Sequence, residues 1–294
     1  MSEVNALPCR IKIKPFVMPI VLMVICILNI ESVISGVKHA LNVCAVSIIP
    51  SLFVFMVLSD ITVTLLTEDD TVALPPKITA FVIGSLCGFP IGASICEKLY
   101  IHNEIGKDDA AKIIPFCNNA SPAFVIGAIG VSMLNNKQLG LLLYFSQILA
   151  SLLPLLFIKV KAWDGKKAKS NHSISEIFFS SIEKSILSIL KVCAVICIFS
   201  VVIALLKSVS LEYLSVFLEI SNGTAFCASL ANKTPTLAIA LCGFCCGFSG
   251  ICVHLQIFSS LKSVKVKYYK LLFCKVLQGF LSSIFTLIGY YLFF

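Results

Sequence analysis

Two interrupted apolar stretches contain the residue types best suited to hold a solute inside a membrane. In the first, Gly88, Phe89 and Gly92 surround a proline, and in the second Asn118 and Asn119 lie between two prolines. Glycine and proline interrupt a helix, and a peptide group without a hydrogen-bond partner in lipid costs several kcal/mol. Irregular backbone survives at that depth only inside protein or around a wet cavity, so we interpret both stretches as the lining of a binding site.

A third stretch near the C-terminus has the same character, because Gly247 and Gly250 interrupt it and His254 and Gln256 follow. A broken helix exposes N–H groups at the start of its second half, and these groups carry partial positive charge. A small anion is the natural ligand for such a helix end. Because Arg10 is the only arginine in the sequence, we expect peptide groups and helix ends, rather than a guanidinium group, to bind the anion.

The predicted substrate site combines these residues with neighbouring polar and aromatic ones. It comprises Gly88, Phe89, Gly92, Asn118, Asn119, Ser121, Asn222, Gly247, Phe248, Gly250, His254 and Gln256. Alternatives stay open: the asparagines could join helices by hydrogen bonds, the phenylalanines could pack, and the histidine could be a buried hydrogen-bonding group or a proton carrier. Asp60, Glu97 and Glu219 are candidates for proton or cation coupling, although a solvated position at a helix end is the commoner role for each.

Catalytic and metal-binding signatures are absent from the sequence. It has no Walker A motif, no H-E-x-x-H and no G-x-S-x-G. Cys242, Cys245 and Cys246 form the densest group among 14 cysteines, but no second pair completes a tetrahedral metal site. We therefore expect no enzyme activity, no cofactor and no metal.

The composition is that of a polytopic membrane protein. Of the 294 residues, 58% are hydrophobic and 13% are charged, and the mean hydropathy is +0.99. The net charge of +8 comes largely from lysines in short loops, as the positive-inside rule expects, so nucleic-acid binding is not expected. Lys191, Lys207 and Lys275 are interpreted as side chains that snorkel at span ends. The expected partners are the lipid bilayer and a small anionic solute, and a homo-oligomer is left open.

Nine apolar segments are candidates for membrane helices. They are residues 16–36, 40–66, 78–100, 111–134, 138–158, 186–206, 211–231, 235–261 and 271–294. A lysine-rich linker, residues 159–173, divides a first membrane half, residues 1–158, from a second, residues 174–294. We expect this linker to be cytoplasmic and to be followed by an amphipathic interfacial helix.

The number of segments between basic loops predicts re-entrant elements. Five segments lie between the basic N-terminus and the linker, and three lie between the linker and the basic loop at residues 262–270. An odd number of crossings cannot join two cytoplasmic loops, so one segment in each half must enter and leave on the same side. We predict that these are the glycine-broken segments 78–100 and 235–261.

The same two segments resemble each other, because Gly84-Ser-Leu-Cys-Gly-Phe89 aligns with Gly243-Phe-Cys-Cys-Gly-Phe248. Segment 211–231 contains Glu219 and Asn222 and is a poor span, which favours an inverted repeat. The expected fold is an all-α polytopic membrane protein with two pseudo-repeat halves, each containing a broken or re-entrant helical hairpin.

Six short stretches carry a resemblance to a known family. They are Ile49-Pro-Ser-Leu-Phe53, Cys87-Gly-Phe-Pro-Ile-Gly-Ala93, Phe116-Cys-Asn-Asn-Ala-Ser-Pro-Ala-Phe-Val-Ile-Gly127, Gly247-Phe-Ser-Gly250, Val253-His-Leu-Gln256 and Leu277-Gln-Gly279. Through these stretches, which run from about Ile49 to the C-terminus in the family's order, the chain resembles the sporulation integral membrane protein YlbJ family, whose members carry the nucleoside-transporter gate (nucleoside recognition) domain.

The resemblance implies a spore-forming bacterium and a multi-pass transporter in the bacterial cell membrane, specifically the mother-cell-derived membrane around the forespore. It implies dipicolinate as the candidate substrate, a planar pyridine with two carboxylates. The first hypothesis is therefore a secondary transporter or facilitator of a small organic anion. The alternatives are a nonconducting scaffold or gating protein for a sporulation complex, with the basic linker as its partner surface, and a nucleoside-type solute transporter.

Overall fold

The computed structural model describes residues 17–68, 75–161 and 173–294. All regular elements within these ranges are helices, and no strand occurs among them, which confirms the all-α prediction. The basic N-terminus around Arg10 and residues 162–172 of the linker lie outside the described ranges.

The helices of the two halves follow one another with short connections. The first half consists of α1 (Val17–Leu28), α2 (Ile30–Val43), a π-helix at Cys44–Ile48, α3 (Ile49–Glu68), α4 (Pro76–Cys87), α5 (Ile91–Ile101), α6 (Lys107–Cys117), a π-helix at Ala123–Met133 and α7 (Lys137–Phe157). The second half consists of α8 (Ile174–Ser208), a 3-10 helix at Glu212–Leu214, α9 (Ser215–Leu218), α10 (Ile220–Ser229), α11 (Pro235–Phe248), α12 (Gly250–Ser260) and α13 (Tyr268–Phe293).

Four helical stretches of the described chain are long and apolar enough to cross a membrane. They are α7, α8, α13 and the broken stretch α11–α12, and the pair α1–α2, bent by 97°, counts as a fifth. The protein is therefore a multispanning membrane protein. The predicted interfacial helix and the span that follows it form one helix of 35 residues, α8, which begins with a capping box between Ser173 and Glu176.

Helices α4 and α5 fold back on each other as a hairpin with its tip at Gly88. Gly84 and Gly92 lie eight residues apart, yet a Cβ atom at Gly84 would lie only 2.9 Å from Gly92 Cα. A continuous helix would separate them by about 12 Å. Both glycines make room for the backbone carbonyl of Cys117, which packs between the two arms.

Both ends of this hairpin lie on the side of the molecule where α7 ends and α8 begins, here called the linker face. Lys77, at the start of α4, donates from Nζ to the carbonyls of Leu155 (3.3 Å) and Ile158 (3.1 Å) at the end of α7. Shortly after α5, Asp109 accepts a hydrogen bond of 2.9 Å from the N–H of Lys161. The hairpin therefore enters and leaves on one side, as the sequence predicts.

A second, shorter hairpin is formed by α9 and α10, with its tip at Glu219. A Cβ atom at Gly223 would lie 2.9 Å from Ser215 O and 2.9 Å from Val216 Cα, so the two arms are in backbone contact. This hairpin starts from the opposite face, where α8 ends. The re-entrant element of the second half is thus segment 211–231, and the prediction that assigned this role to the glycine-broken segment after it is corrected.

The segment that was predicted to be re-entrant, α11–α12, is instead a broken crossing. Helix α11 runs antiparallel to α13, because a Cβ atom at Gly243 would lie 2.6 Å from Thr286 Oγ1, whereas Gly247 faces Gln278, nearer to the start of α13. The break occurs at Ser249, whose φ is 70°. Helix α12 then continues to a loop at the linker face, where Glu97 binds the loop's amide groups.

The two halves repeat one order of elements in opposite directions. A helix, a re-entrant hairpin, a broken crossing and a final helix follow one another as α3, α4–α5, α6 with its π-helix, and α7, and again as α8, α9–α10, α11–α12 and α13. The proposed alignment of Gly84–Phe89 with Gly243–Phe248 therefore matched a hairpin arm with a crossing helix. It did so because both stretches need glycine for close backbone contact, one with Cys117 and the other with α13.

We predict that Gly92→Ala destabilises the protein by about 1–3 kcal/mol, because the new methyl group would collide with the Cys117 carbonyl, which is backbone and cannot rotate away. The matched control is Gly127→Ala, since a Cβ atom at Gly127 meets nothing within 4 Å. Thermal unfolding in detergent should show a lower midpoint for Gly92→Ala alone. Equal midpoints for the two variants would contradict the packing described here.

Candidate functional site

Both hairpin tips and the first helix break line one cavity, together with α12. The tip of the first hairpin contributes Gly88 and Phe89, and the tip of the second contributes Glu219 with its two following residues. The break after α6 contributes Ser121, and α12 contributes Gln256, about two turns beyond the second break. Five residues that the sequence singled out are thus brought together, although they come from four separate elements.

The cavity wall at the first hairpin tip requires glycine. Gly88 has φ 88°, a backbone conformation that residues other than glycine adopt only with strain. A Cβ atom there would also lie 3.0 Å from Ser121 Cβ and 3.3 Å from Leu52 Cδ2. The bare backbone of Gly88 therefore leaves open the space between α3 and the break after α6.

A buried carboxylate forms the tip of the second hairpin. Glu219 is 1% exposed and accepts hydrogen bonds from Ser221 N (2.9 Å), Asn222 N (2.8 Å) and Asn222 Nδ2 (2.7 Å). Gly250, with φ 81°, packs against the backbone of Glu219 and so joins the hairpin tip to the second break. Asn222 and Gly250, which were predicted to belong to the site, do not line the cavity, but both contact Glu219.

Two buried polar atoms next to the cavity have no hydrogen-bond partner among the described residues. They are Ser221 Oγ and Gln256 Oε1, and both residues line the cavity. The amide nitrogen of Gln256 donates to Cys252 Sγ at 3.4 Å. A buried polar atom without a partner costs about 1–3 kcal/mol, so these two atoms mark the positions where a bound solute or water would complete the structure.

The first hairpin and the neighbouring break hold each other through Asn118. Its Oδ1 accepts a hydrogen bond of 3.0 Å from Ala93 N, in the first turn of α5, and its Nδ2 donates to Ile114 O at 2.6 Å. Lys275 of α13 donates from Nζ to Asn118 O at 2.6 Å. The start of α5 is therefore occupied by a side chain of the protein, and Asn118 joins helices rather than lining the cavity.

Asn119 and Ala120 complete the same break with a network that reaches α7 and α13. Asn119 Nδ2 donates to Ser85 Oγ at 2.9 Å, and its Oδ1 accepts from the Ser151 hydroxyl. Gln147 pairs with both backbone groups of Ala120, at 2.7 Å and 3.3 Å. This network satisfies the unwound backbone, so Asn119 also has a structural role. Gly92 contacts the backbone of Cys117 and therefore packs against the same helix break.

The remaining predicted residues of the second half surround the break at Ser249. His254 Nε2 lies 3.0 Å from the Phe248 carbonyl that the break releases, and the two rings pack edge to face at 5.0 Å. Gly247 faces the backbone of Gln278. Gly247, Phe248 and His254 therefore support the break from the side away from the cavity, and Phe89 is the one predicted aromatic residue that reaches it.

The other acidic candidates lie away from the cavity. Glu97 is 5% exposed and accepts hydrogen bonds from the backbone N–H groups of Lys262 (3.2 Å), Ser263 (2.5 Å) and Val264 (3.0 Å). The solvated position expected for Glu97 is corrected, because the carboxylate holds the loop between α12 and α13. Asp60 forms a salt bridge with Lys98 on the linker-face side of α3. No group of three or more His, Cys, Asp or Glu side chains that could hold a metal occurs among the described residues.

Comparison with known proteins gives one informative relative. The chain is 24% identical, over 262 residues, to the sporulation integral membrane protein YlbJ of Bacillus subtilis (strain 168). The chain is a relative of YlbJ. The alignment covers 72% of this chain and 64% of YlbJ, so the chain spans less than two thirds of that protein. The predicted resemblance to the YlbJ family is confirmed. No protein-family model matches the chain, and no solved structure matches it.

Sequence reasoning missed two residues, one at the first break and one in the cavity lining. Lys275 was interpreted as a snorkelling side chain, but it is fully buried, and its ammonium group binds the carbonyl at the first break. The sequence contains a signal for this, because Lys275, Gln278, Ser282 and Thr286 share one face of α13 at helical spacing. Ser221 was also missed, and nothing in its sequence context distinguishes it from an ordinary helix-start serine.

We predict that Lys275→Met destabilises the protein by about 1–3 kcal/mol, because the substitution removes the Nζ donor from the Asn118 carbonyl and leaves that oxygen buried without a partner. The control is Lys191→Met on α8, whose side chain is exposed. Thermal unfolding in detergent should separate the two variants. A Lys275→Met protein as stable as the wild type would show that the lysine does not support the break.

Proposed function

We propose that the chain is a secondary transporter or facilitator of a small organic anion, with its binding site in the cavity between the two hairpin tips. The observation that carries this proposal is that both hairpin tips and the first helix break border the same cavity. Three costly interruptions that meet at one cavity favour a solute site over general helix packing, because packing alone needs no shared cavity.

The arrangement is of the kind that secondary transporters use. Their substrates bind near the middle of the membrane, between two repeats of opposite direction and beside discontinuous helices. Here the hairpins start from opposite faces, and their tips, Gly88 and Glu219, border the same cavity. Movement of one hairpin relative to the other would expose the cavity to one side at a time.

The lining suits a small flat molecule with oxygen groups. Phe89, Phe124 and Ile196 provide apolar surface for a ring. The hydroxyl groups of Ser121 and Ser221 can donate hydrogen bonds to a carboxylate. Dipicolinate has this chemistry, and the relationship to a sporulation protein supports it as the solute and the membrane around the forespore as the location.

Glu219 gives the proposal a coupling group. Glu219 lies in the cavity wall, where its carboxylate would act directly on a bound solute. We therefore assign to Glu219 the coupling of a proton or cation to the solute, while the hydrogen bonds that it accepts from Ser221 N and Asn222 N hold the side chain in place. Asp60 and Glu97 are less suited to this role, because Asp60 is bound to Lys98 and Glu97 is bound to the loop between α12 and α13.

We predict that Gln256→Leu lowers dipicolinate uptake into liposomes at least about tenfold while the protein still folds. The substitution keeps the volume of the side chain and removes the buried oxygen beside the cavity, which can accept a hydrogen bond from a water molecule that accompanies the solute. The loss of a partner for a buried polar group corresponds to about 1–3 kcal/mol. Gln138→Leu, on the exposed start of α7, is the matched control and should transport normally. Normal uptake by Gln256→Leu would remove the cavity from the proposed pathway.

A further inference from the structure

A second cavity lies beside the same helices and differs in chemistry from the first. We call it the outer cavity and the first one the inner cavity. Its polar lining consists of four serines and three charged residues: Ser59, Asp60, Ser94, Lys98, Lys184, Ser185 and Ser188. The function proposed above assigns no role to it.

Successive turns of α3 connect the two cavities. Leu52 lines the inner cavity, as does Ile48 at the end of the preceding π-helix, while Met56 and Asp60 line the outer one. The three residues of α3 are spaced four apart and therefore lie on one face of the helix. Because four residues of helix rise by about 6 Å, the two linings are about one turn apart.

Helix α8 and the first hairpin continue from one cavity to the other in the same way. On α8, Val192 lines the inner cavity and Ser188 lines the outer one, again four residues apart. On the hairpin, Gly88 at the tip lines the inner cavity, and Ile91 and Lys98 of α5 line the outer one. The same three elements therefore form the walls of both cavities.

The outer cavity carries an excess of positive charge. Lys98 forms a salt bridge with Asp60 and donates to Thr64 Oγ1 at 2.8 Å. Lys184 Nζ lies 3.9 Å from Asp60 Oδ2, and the Ser181 hydroxyl donates to the same oxygen at 2.8 Å. Two ammonium groups thus share one carboxylate, and the side chain of Lys184 is 60% exposed.

We propose that the outer cavity is the entrance site for the solute anion on the linker face, with Lys184 as the residue that attracts it. This inference rests on the proposed transport function and adds its entrance. The carboxylate of Asp60 fixes Lys98 against the wall, so the exposed Lys184 is the cation that can turn towards an arriving anion. The serine hydroxyls then replace part of its hydration as it moves along α3 and α8 towards the inner cavity.

The experiment uses the full chain in liposomes oriented so that the linker face is outside, with radiolabelled dipicolinate as the probe. Lys184→Glu should raise KM about fivefold at low ionic strength and leave kcat within twofold, since reversing one charge near the entrance weakens encounter with the anion. In 1 M salt the Debye length is about 3 Å, so the difference from the wild type should disappear. Lys184→Arg should behave as the wild type.

The matched control is Lys191→Glu, which makes the same charge reversal on an exposed position of the same helix, outside both cavities. A wild-type KM for Lys184→Glu, or an equal rise for both variants, would overturn the entrance site and leave the transport proposal standing. A wild-type protein that moves no dipicolinate in any liposome would overturn the proposed function, and the entrance site with it.

Discussion

The structure depends on one constraint: a peptide group inside hydrocarbon needs a hydrogen-bond partner, and a broken helix releases several such groups at once. At the first break these groups are bound by side chains of two other helices, while a side chain of the break itself caps a third helix. Asn118 caps α5, Gln147 pairs with Ala120, and Lys275 binds a released carbonyl. At the second hairpin Glu219 caps α10 in the same manner. The breaks persist because the protein itself completes them.

The same constraint separates polar residues that hold the fold from those left for a ligand. Asn118 and Asn119 were natural candidates for solute binding, but their polar atoms bond to the protein. Gln256 Oε1 and Ser221 Oγ are equally buried and have no partner in the described chain. A polar side chain inside a membrane is therefore informative about function only after its own hydrogen bonds are known.

Much of the architecture could be predicted from the sequence, because glycine, proline and loop charge act locally. The all-helical membrane fold, the first hairpin and five cavity residues followed from such signals. The second hairpin did not, since counting crossings requires one re-entrant segment without saying which. Glycines misled the comparison of the halves, because Gly243 and Gly84 serve close packing rather than equivalent turns. The burial of Lys275 depends on a partner 157 residues away in the chain, which no local pattern shows.

The outer cavity lies towards the linker face of the molecule. Thermodynamics limits what a site on one face can do for transport. A charge that speeds the arrival of an anion also holds it when it returns, so it changes how quickly two compartments equilibrate and not the final ratio of their concentrations. Transport of the anion against its concentration gradient needs a second ion that moves down its own gradient. In the function proposed above, the group assigned to couple such an ion is the carboxylate at the tip of the shorter hairpin, which lines the inner cavity and not the outer one.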